Sequence, residues 1–473
     1  MHGRPTDEIR GRVAVIGAGV AGLVAARRLA QRGADVTVWE AEDRVGGQVH
    51  TAEVTPGTYL DLGAEALHLA APGVAALLAE LRLDGVRLDE TMVVSSPGAT
   101  RLVTPRGLRA LPDGVGPAGP TRLGPVVRSR TLTWSGLARA GLEPAAARRM
   151  PALADDGDMS VGDFVTRRFG GAVTHAFVDP LLGTLHSGDV SRLSLRGCAP
   201  ALVPAATHRR SLVLRRRAAG PPALGFATWP QGLSVLTTAL LADQPGVTVR
   251  TGTAATSLSR RSDGRYDLAG PGTPAGTPYD AVVLAVPARP AARLLAGLAP
   301  QAAATLAAVE TADVVTVLVG VPSTVTRDLP GTGLLVPSDA GRLLKAATYL
   351  GRKWPHLAGG ETCWLRLSAG RAGEHRVQDL TDDRLVDLLT ADLRDLTGLA
   401  GLAAAPTAAV VRRWPAALPQ ITVGHPARVA AARATLPPGV VLAGASYDGL
   451  GLAAGIRSGE AAAAALSVPE EAR

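Results

Sequence analysis

Between Gly17 and Gly22 the chain reads Gly17-Ala18-Gly19-Val20-Ala21-Gly22, a G-x-G-x-x-G spacing. Three glycines so placed have separate jobs when a strand precedes them and a helix follows. Gly17 makes the tight turn, Gly19 lets backbone approach a pyrophosphate, and Gly22 lets the helix lie close on the strand. The helix start adds free N–H groups and a positive dipole end for phosphates. Glu40 follows the next apolar run, where a carboxylate can accept both hydroxyls of an adenosine ribose. It would repel a 2′-phosphate, which disfavours NADP. In Glu40-Ala41-Glu42-Asp43-Arg44-Val45-Gly46-Gly47, Arg44 can bring positive charge to a pyrophosphate, and Gly46 and Gly47 let the chain pass close by. These residue types point to redox chemistry on a bound dinucleotide.

The elements that must position them are legible. Val13–Ile16 is a short apolar run, as in a buried parallel strand. Leu23, Ala26 and Ala30 recur at helical spacing, with Arg27, Arg28, Gln31 and Arg32 turned outward. Gly33 suits the position past that helix, and residues 35–40 return as a second strand. The βαβ context outweighs the reading of a glycine turn that binds nothing.

At 473 residues the chain has room for two or three domains. With 47% hydrophobic and 19% charged residues it is globular rather than disordered. Cys198 and Cys363 form no CxxC, so neither a zinc site nor a disulfide framework is expected, and no metal is. The start, MHGRPTDEIRGR, lacks an apolar signal core, and no apolar run approaches a membrane span. The expected location is cytoplasmic, with at most peripheral membrane contact. The net charge of +8 comes from scattered arginines without a nucleic-acid motif, so a field for an anionic small molecule fits and nucleic acid is not expected. Lysine occurs twice, as Lys345 and Lys353.

Further on, residues 59–66 (YLDLGAEA) read as a strand running into Gly63, a second close approach to the cofactor. Residues 74–83 read as an amphipathic helix and 101–108 as a hairpin with a Pro-Arg-Gly turn. The Pro/Gly-rich residues 111–124 read as a linker. Residues 137–177 read mainly as helices, with Ser160 as an N-cap. The basic run 209–217 reads as a solvated helix face rather than a membrane patch. Residues 247–250 and 280–287 read as strands, the second central, and 291–310 as one Ala-rich helix. Residues 314–319 begin a substrate-domain strand. Residues 440–444 are a buried strand feeding a second glycine turn and helix start through 459. The expected fold is α/β plus α. A Rossmann-like dinucleotide domain is assembled from 9–85, 225–300 and 425–473. A mixed-sheet substrate domain takes 86–120 and 301–424, and an inserted helical domain takes 121–224.

The run Glu40-x-x-x-Arg44-x-Gly46-Gly47 resembles the FAD signature of amine-oxidase-like flavoproteins. Nearly the whole chain resembles the porphyrinogen oxidases, the protoporphyrinogen IX and coproporphyrinogen III oxidases. The blocks that carry this are 444–449 (GASYDG) with 456–459 (IRSG), 414–420 (WPAALPQ) with 423–425 (VGH), and 180–183 (PLLG) through Gly188-Asp189. Residues 341–348 (GRLLKAAT) with 353–356 (KWPH) are similar to the actinobacterial branch, which acts on coproporphyrinogen III. The resemblance implies FAD held by Gly17 to Gly22, Glu40, Ala41, Arg44, Gly47, Gln48, Gly63, Ala64, Glu65 and Ala66. It further implies Ala255 at the adenine, and Gly444, Ala445, Leu450, Gly451 and Leu452 at the flavin end. Arg101 matches a position that pairs with a substrate propionate. Thr184 and His186 depart from the Gly and Tyr usual in a segment that lines the substrate pocket.

The implied partners are a tetrapyrrole porphyrinogen and dioxygen, with hydride passing from a bridge carbon to the flavin. No catalytic side chain is required, and His186 reads as pocket-lining more readily than as proton acceptor. Lys345 is the candidate second propionate contact, since a compact ammonium stands where arginine is otherwise the rule. Lys353 reads as solvated. A protoporphyrinogen IX oxidase, an amine oxidase, a non-catalytic porphyrin carrier and a specialised-metabolism oxidase stay open, and the oligomeric state is undetermined.

Overall fold

A computed structural model describes residues 11–117, 119–214, 225–271, 278–403 and 406–466. The chain divides into two compact units. The first gathers the described residues of Met1–Met92, Ala223–Val309 and Pro426–Arg473; the second gathers those of Val93–Pro222 and Glu310–His425.

The first unit is built on a five-stranded parallel sheet. Its order is Val247–Arg250, Asp35–Trp39, Arg12–Ile16, Ala281–Leu284, Val440–Leu442. Both faces are covered, which explains why its strands are continuously apolar instead of alternating. Val13, Val15, Val36, Val38 and Val283 enter one apolar cluster; Ala14, Ile16, Val282, Leu284 and Val440 enter the other. Three remote stretches of chain thus make one sheet, as the sequence led us to expect. Helix Leu452–Ala465 packs on helix Val20–Gln31, where a Cβ on Gly459 would meet the Ala21 carbonyl oxygen at 2.4 Å. Two expectations change. The second strand ends at Trp39, although the Glu40 N–H still donates to the Arg250 carbonyl at 2.8 Å. The 291–310 stretch is two helices, Ala288–Leu295 and Pro300–Ala307, because Pro300 has no N–H to continue the first and suits the start of the second.

The second unit holds a mixed seven-stranded sheet. Its order is Gly107–Ala110, Arg101–Thr104, Gly333–Leu335, Leu344–Tyr349, Thr362–Ala369, Thr311–Pro322, Ala408–Pro419. Arg101–Thr104 pairs parallel with Gly333–Leu335, and the other ladders are antiparallel. On one face, Val315, Val317, Val319, Leu365 and Leu367 cluster with Leu385, Leu389 and Leu393, the apolar stripe of helix Asp382–Thr397. On the other, Leu102 and Leu335 join Phe164, Phe169, Phe177 and Leu182 in a cluster built mainly by the helices after residue 123. Ser160 caps one of these, accepting the Asp163 N–H at 2.9 Å.

Thr174–Gly183 is a π-helix, because Pro180 cannot donate an i→i−4 bond and the wider ladder runs through it. The expected linker contains a short ladder, Val115–Gly116 with Gly119–Pro120. Of the basic run, residues 209–214 form no helix, and 215–217 lie outside the described residues. Among the described residues no helix is long and apolar enough to cross a membrane.

Candidate cofactor and anion sites

In the first unit the glycine loop sits at the carboxyl end of the sheet. The Gly17 N–H donates to the Trp39 carbonyl at 2.7 Å, which fixes the turn. Gly19 is the N-cap of helix Val20–Gln31 and has no side chain with which to cap it. The first N–H groups of that helix therefore face outward without intrahelical acceptors. The loop distinguishes its own glycines. A Cβ on Gly17 would meet Ala285 O at 2.6 Å and one on Gly22 would meet Gly17 O at 2.0 Å, but one on Gly19 meets nothing within 4 Å. Gly17 and Gly22 are closed in by protein. Gly19 borders open space beside a positive helix end, and a dinucleotide pyrophosphate fits there.

The 40–49 segment lies along this loop. Gly46 N–H donates to Ala18 O at 2.8 Å, and Gly47 comes close enough that its Cβ would lie 3.3 Å from Gly19 Cα. Gly46 needs its positive φ of 108°, and a Cβ there would strike Val49 O at 2.5 Å. Glu40 Oε2 accepts the Ala18 N–H at 2.7 Å and Oε1 the Glu42 N–H at 2.9 Å. The carboxylate thus first clamps the glycine loop to the end of the strand, and one lone pair on each oxygen is left for ligand hydroxyls. Arg44 also holds the loop itself. Its guanidinium donates to the carbonyls of Val45, Gly47 and Val49 and pairs with Glu42 at 2.9 Å. These contacts fix the shape of the loop. The Ala64 N–H donates to Gln48 O at 2.8 Å, so 63–66 runs beside 48. Ala41 is exposed, and Ala255 packs against the second apolar cluster.

At the other end of the chain, Gly444 adopts φ 117° and donates its N–H to Ser458 Oγ at 2.7 Å. Ser458 donates to Asp448, which also takes Arg433 at 2.8 Å. This network fixes the turn before helix Leu452–Ala465, whose N-cap, Gly451, has φ 95° and open space around it. A second helix start is presented bare, with Ala445 and Leu450 beside it.

In the second unit the structure brings three of the four candidate substrate residues together. Thr184 and His186 lie on the short helix Thr184–His186 that ends the π-helix. The next residue, Ser187, shares a hydrogen bond with Lys345 Nζ. His186 is buried, its Nδ1 3.8 Å from Cys198 Sγ, and its carbonyl accepts from Gln420 Nε2 at 3.0 Å. Burial pushes the imidazole down to about 4, so it is neutral and a weak base. Burial, with Asp158 assisting, pushes the Cys198 thiol up to about 12, leaving it unreactive. Burial also pushes Lys345 down to about 7, Arg371 and Arg366 adding to the shift while Glu374 opposes it.

Arg101 does not join them. Leu102 faces the helical cluster, so strand alternation turns Arg101 to the opposite face with Val103, where its charge bears on Tyr349. Its Nε is buried without a hydrogen-bond partner among the described residues. Lys353 lies with its Nζ 5.0 Å from the Trp354 ring centre. The sequence reading passed over Ser187, Arg366 and Arg371. Nothing local separates those two arginines from the many others; only strand register and the loop after Ala369 bring them to Lys345.

The profile of the family described as "Flavin containing amine oxidoreductase" matches residues 20–467. A coproporphyrinogen III oxidase of Mycobacterium tuberculosis is 34% identical over 96% of this chain and 97% of its own. One of Bacillus subtilis is 29% identical over 95% and 96%. A crystal structure described as a putative protoporphyrinogen oxidase from Exiguobacterium superposes with a TM-score of 0.81 at 25% identity, covering 96% of this chain and 97% of that one. Cyclohexylamine oxidase from Brevibacterium oxydans, at 18% identity and a TM-score of 0.66, shares the fold. On the profile match across most of its length, the chain belongs to the flavin-containing amine oxidoreductase family.

Proposed function

We propose that the protein is an FAD-dependent oxidase that converts coproporphyrinogen III to coproporphyrin III, with dioxygen as acceptor. The observation that carries this reading is the near full-length similarity, at 34% identity, to coproporphyrinogen III oxidases. The glycine loop supports FAD as the dinucleotide. The bare helix start at Gly19 would hold the pyrophosphate, Glu40 the ribose, and the Gly451 turn the flavin end. FAD, when bound, supplies a two-electron acceptor that dioxygen renews, giving hydrogen peroxide. Removing six hydrogens from the macrocycle takes three such rounds, so one porphyrin accompanies three peroxides.

The protein's own part is binding and orientation. Lys345, Arg366 and Arg371 supply positive charge in the second unit, which suits an acidic substrate and disfavours an ammonium. An amine oxidase is therefore the weaker reading despite the shared fold. His186, held neutral near a pKa of about 4, does not take a proton from substrate at neutral pH. The pyrrole N–H proton goes to water in this scheme. Aerobic incubation with coproporphyrinogen III, protoporphyrinogen IX and cyclohexylamine in parallel tests the reading. Porphyrin fluorescence should appear fastest with the first. Turnover of the amine alone would overturn it.

A further inference from the structure

We infer that Lys345, Arg366 and Arg371 form a buried binding site for one carboxylate of an acidic ligand, and that Lys345 takes up a proton as the carboxylate arrives. The identity of the ligand rests on the function proposed above; the site itself does not.

Lys345 is the extra residue of a β-bulge, between the pairs Leu344 with Ala369 and Ala346 with Ser368. The bulge turns the side chain away from the face packed on helix Asp382–Thr397 and toward Ser187. The side chain is only 4% exposed, and its one hydrogen-bond partner among the described residues is Ser187 Oγ. An ammonium has three donors, so two are left for a ligand. Ser187 is held in place at φ 49°, its carbonyl accepting the Ala372 N–H at 2.7 Å. Arg371 Nη2 donates to Val336 O at 2.8 Å, while its Nη1 is buried with no hydrogen-bond partner among the described residues.

The charged groups around Lys345 come from four directions. Arg366 lies on the neighbouring strand, and Arg371 and Glu374 on the loop after it. Asp179, on the π-helix, bears on Arg371 and already accepts the Ser338 N–H at 2.8 Å. His186, beside Ser187, is neutral. Asp392, on the helix across the sheet, is engaged by the N–H groups of Leu343 and Leu344 and by Arg342. The Lys345 ammonium keeps two donors, and Arg371 Nη1 its own, for a single carboxylate. With the site empty, burial and the charge of Arg371 and Arg366 favour the neutral Lys345 amine. A carboxylate restores the ammonium, and linkage then requires net proton uptake on binding. Arginine could not do this, since its guanidinium keeps its charge. That accounts for a lysine here in a chain that otherwise relies on arginine.

The test is calorimetric titration with coproporphyrin III at pH 8, in two buffers of different ionisation enthalpy, so that bound protons are counted. A group titrating at about 7 that moves well above 9 takes up ~0.9 proton. Wild-type affinity should fall roughly tenfold per pH unit above 8. Lys345→Met should bind at least ~10-fold more weakly without that uptake; Lys345→Arg should bind with its charge fixed and also without it. Uptake in both variants equal to wild type overturns the proposal, as does a pH-independent wild-type affinity. If coproporphyrin III does not bind at all, the proposed function fails, and tricarballylate becomes the probe. Proton-coupled binding of tricarballylate that depends on Lys345 keeps the site, and its absence removes it.

Discussion

Replacing Gly19 by valine separates folding from cofactor binding more cleanly than any other change in the glycine loop. The position has φ −71° and ψ 172°, a conformation open to any residue, and an added Cβ meets nothing within 4 Å. The protein alone should lose at most about 1 kcal/mol, the scale of an N-cap change. Gly22→Ala is the contrast. Its Cβ would lie 2.0 Å from Gly17 O, and relieving that overlap costs about 1–3 kcal/mol in the unliganded fold. The open space at Gly19 is what the pyrophosphate needs, so Gly19→Val should lose flavin outright. It should also lose the stabilisation that a ligand confers, about 2.7 kcal/mol at 100 times the dissociation constant. The assay is flavin absorbance per protein after purification, with urea unfolding of flavin-stripped samples beside it. Gly19→Val with full flavin content would refute the placement of the motif. So would a stripped variant as unstable as Gly22→Ala.

Other consequences can be checked separately. Glu40→Gln replaces one accepting oxygen by an NH₂ facing an N–H, so both the stripped fold and flavin affinity should weaken by about 1–3 kcal/mol, read by urea unfolding and fluorescence titration. His186 titrates near 4 in the fold and 6.5 when unfolded, so the unfolded chain binds more protons between those values. Stability should therefore fall as pH drops through that window, by about 3 kcal/mol at its lower end, and His186→Asn should flatten that part of the curve. Arg168 and Glu143 form a fully buried pair at 3.3 Å, so Arg168→Met should cost about 3–5 kcal/mol in urea unfolding with flavin content unchanged. Arg101→Met removes an Nε that is buried without a hydrogen-bond partner among the described residues, on the face of the sheet away from Lys345, so KM for porphyrinogen should stay within about twofold; a large rise would place Arg101 at the substrate.

The glycine loop was legible because its signals are local. Strand, turn and helix follow within one stretch, and each glycine answers a backbone demand met by its immediate neighbours. What Glu40 and Arg44 do inside that loop was not legible, because both spend hydrogen bonds on backbone groups that only the folded loop presents. The hairpin at 101–108 was readable from its turn, but its face was not. Which side Arg101 takes depends on pairing with Gly333–Leu335, more than two hundred residues away. Lys345 stood out by residue type alone. Its bulge, and the meeting with Ser187 and Arg371, belong to tertiary register that no periodicity encodes. The π-helix escaped for a similar reason, since a proline in an apolar run reads equally well as a helix end.

The most direct test of the proposed activity is to count peroxide against porphyrin during aerobic turnover of coproporphyrinogen III, after confirming that acid releases FAD from the protein. Porphyrin should form only with the enzyme, with three hydrogen peroxide molecules per macrocycle, and Gly19→Val should lose both. Porphyrin formation no faster than the uncatalysed background, or peroxide released without porphyrin, would contradict it.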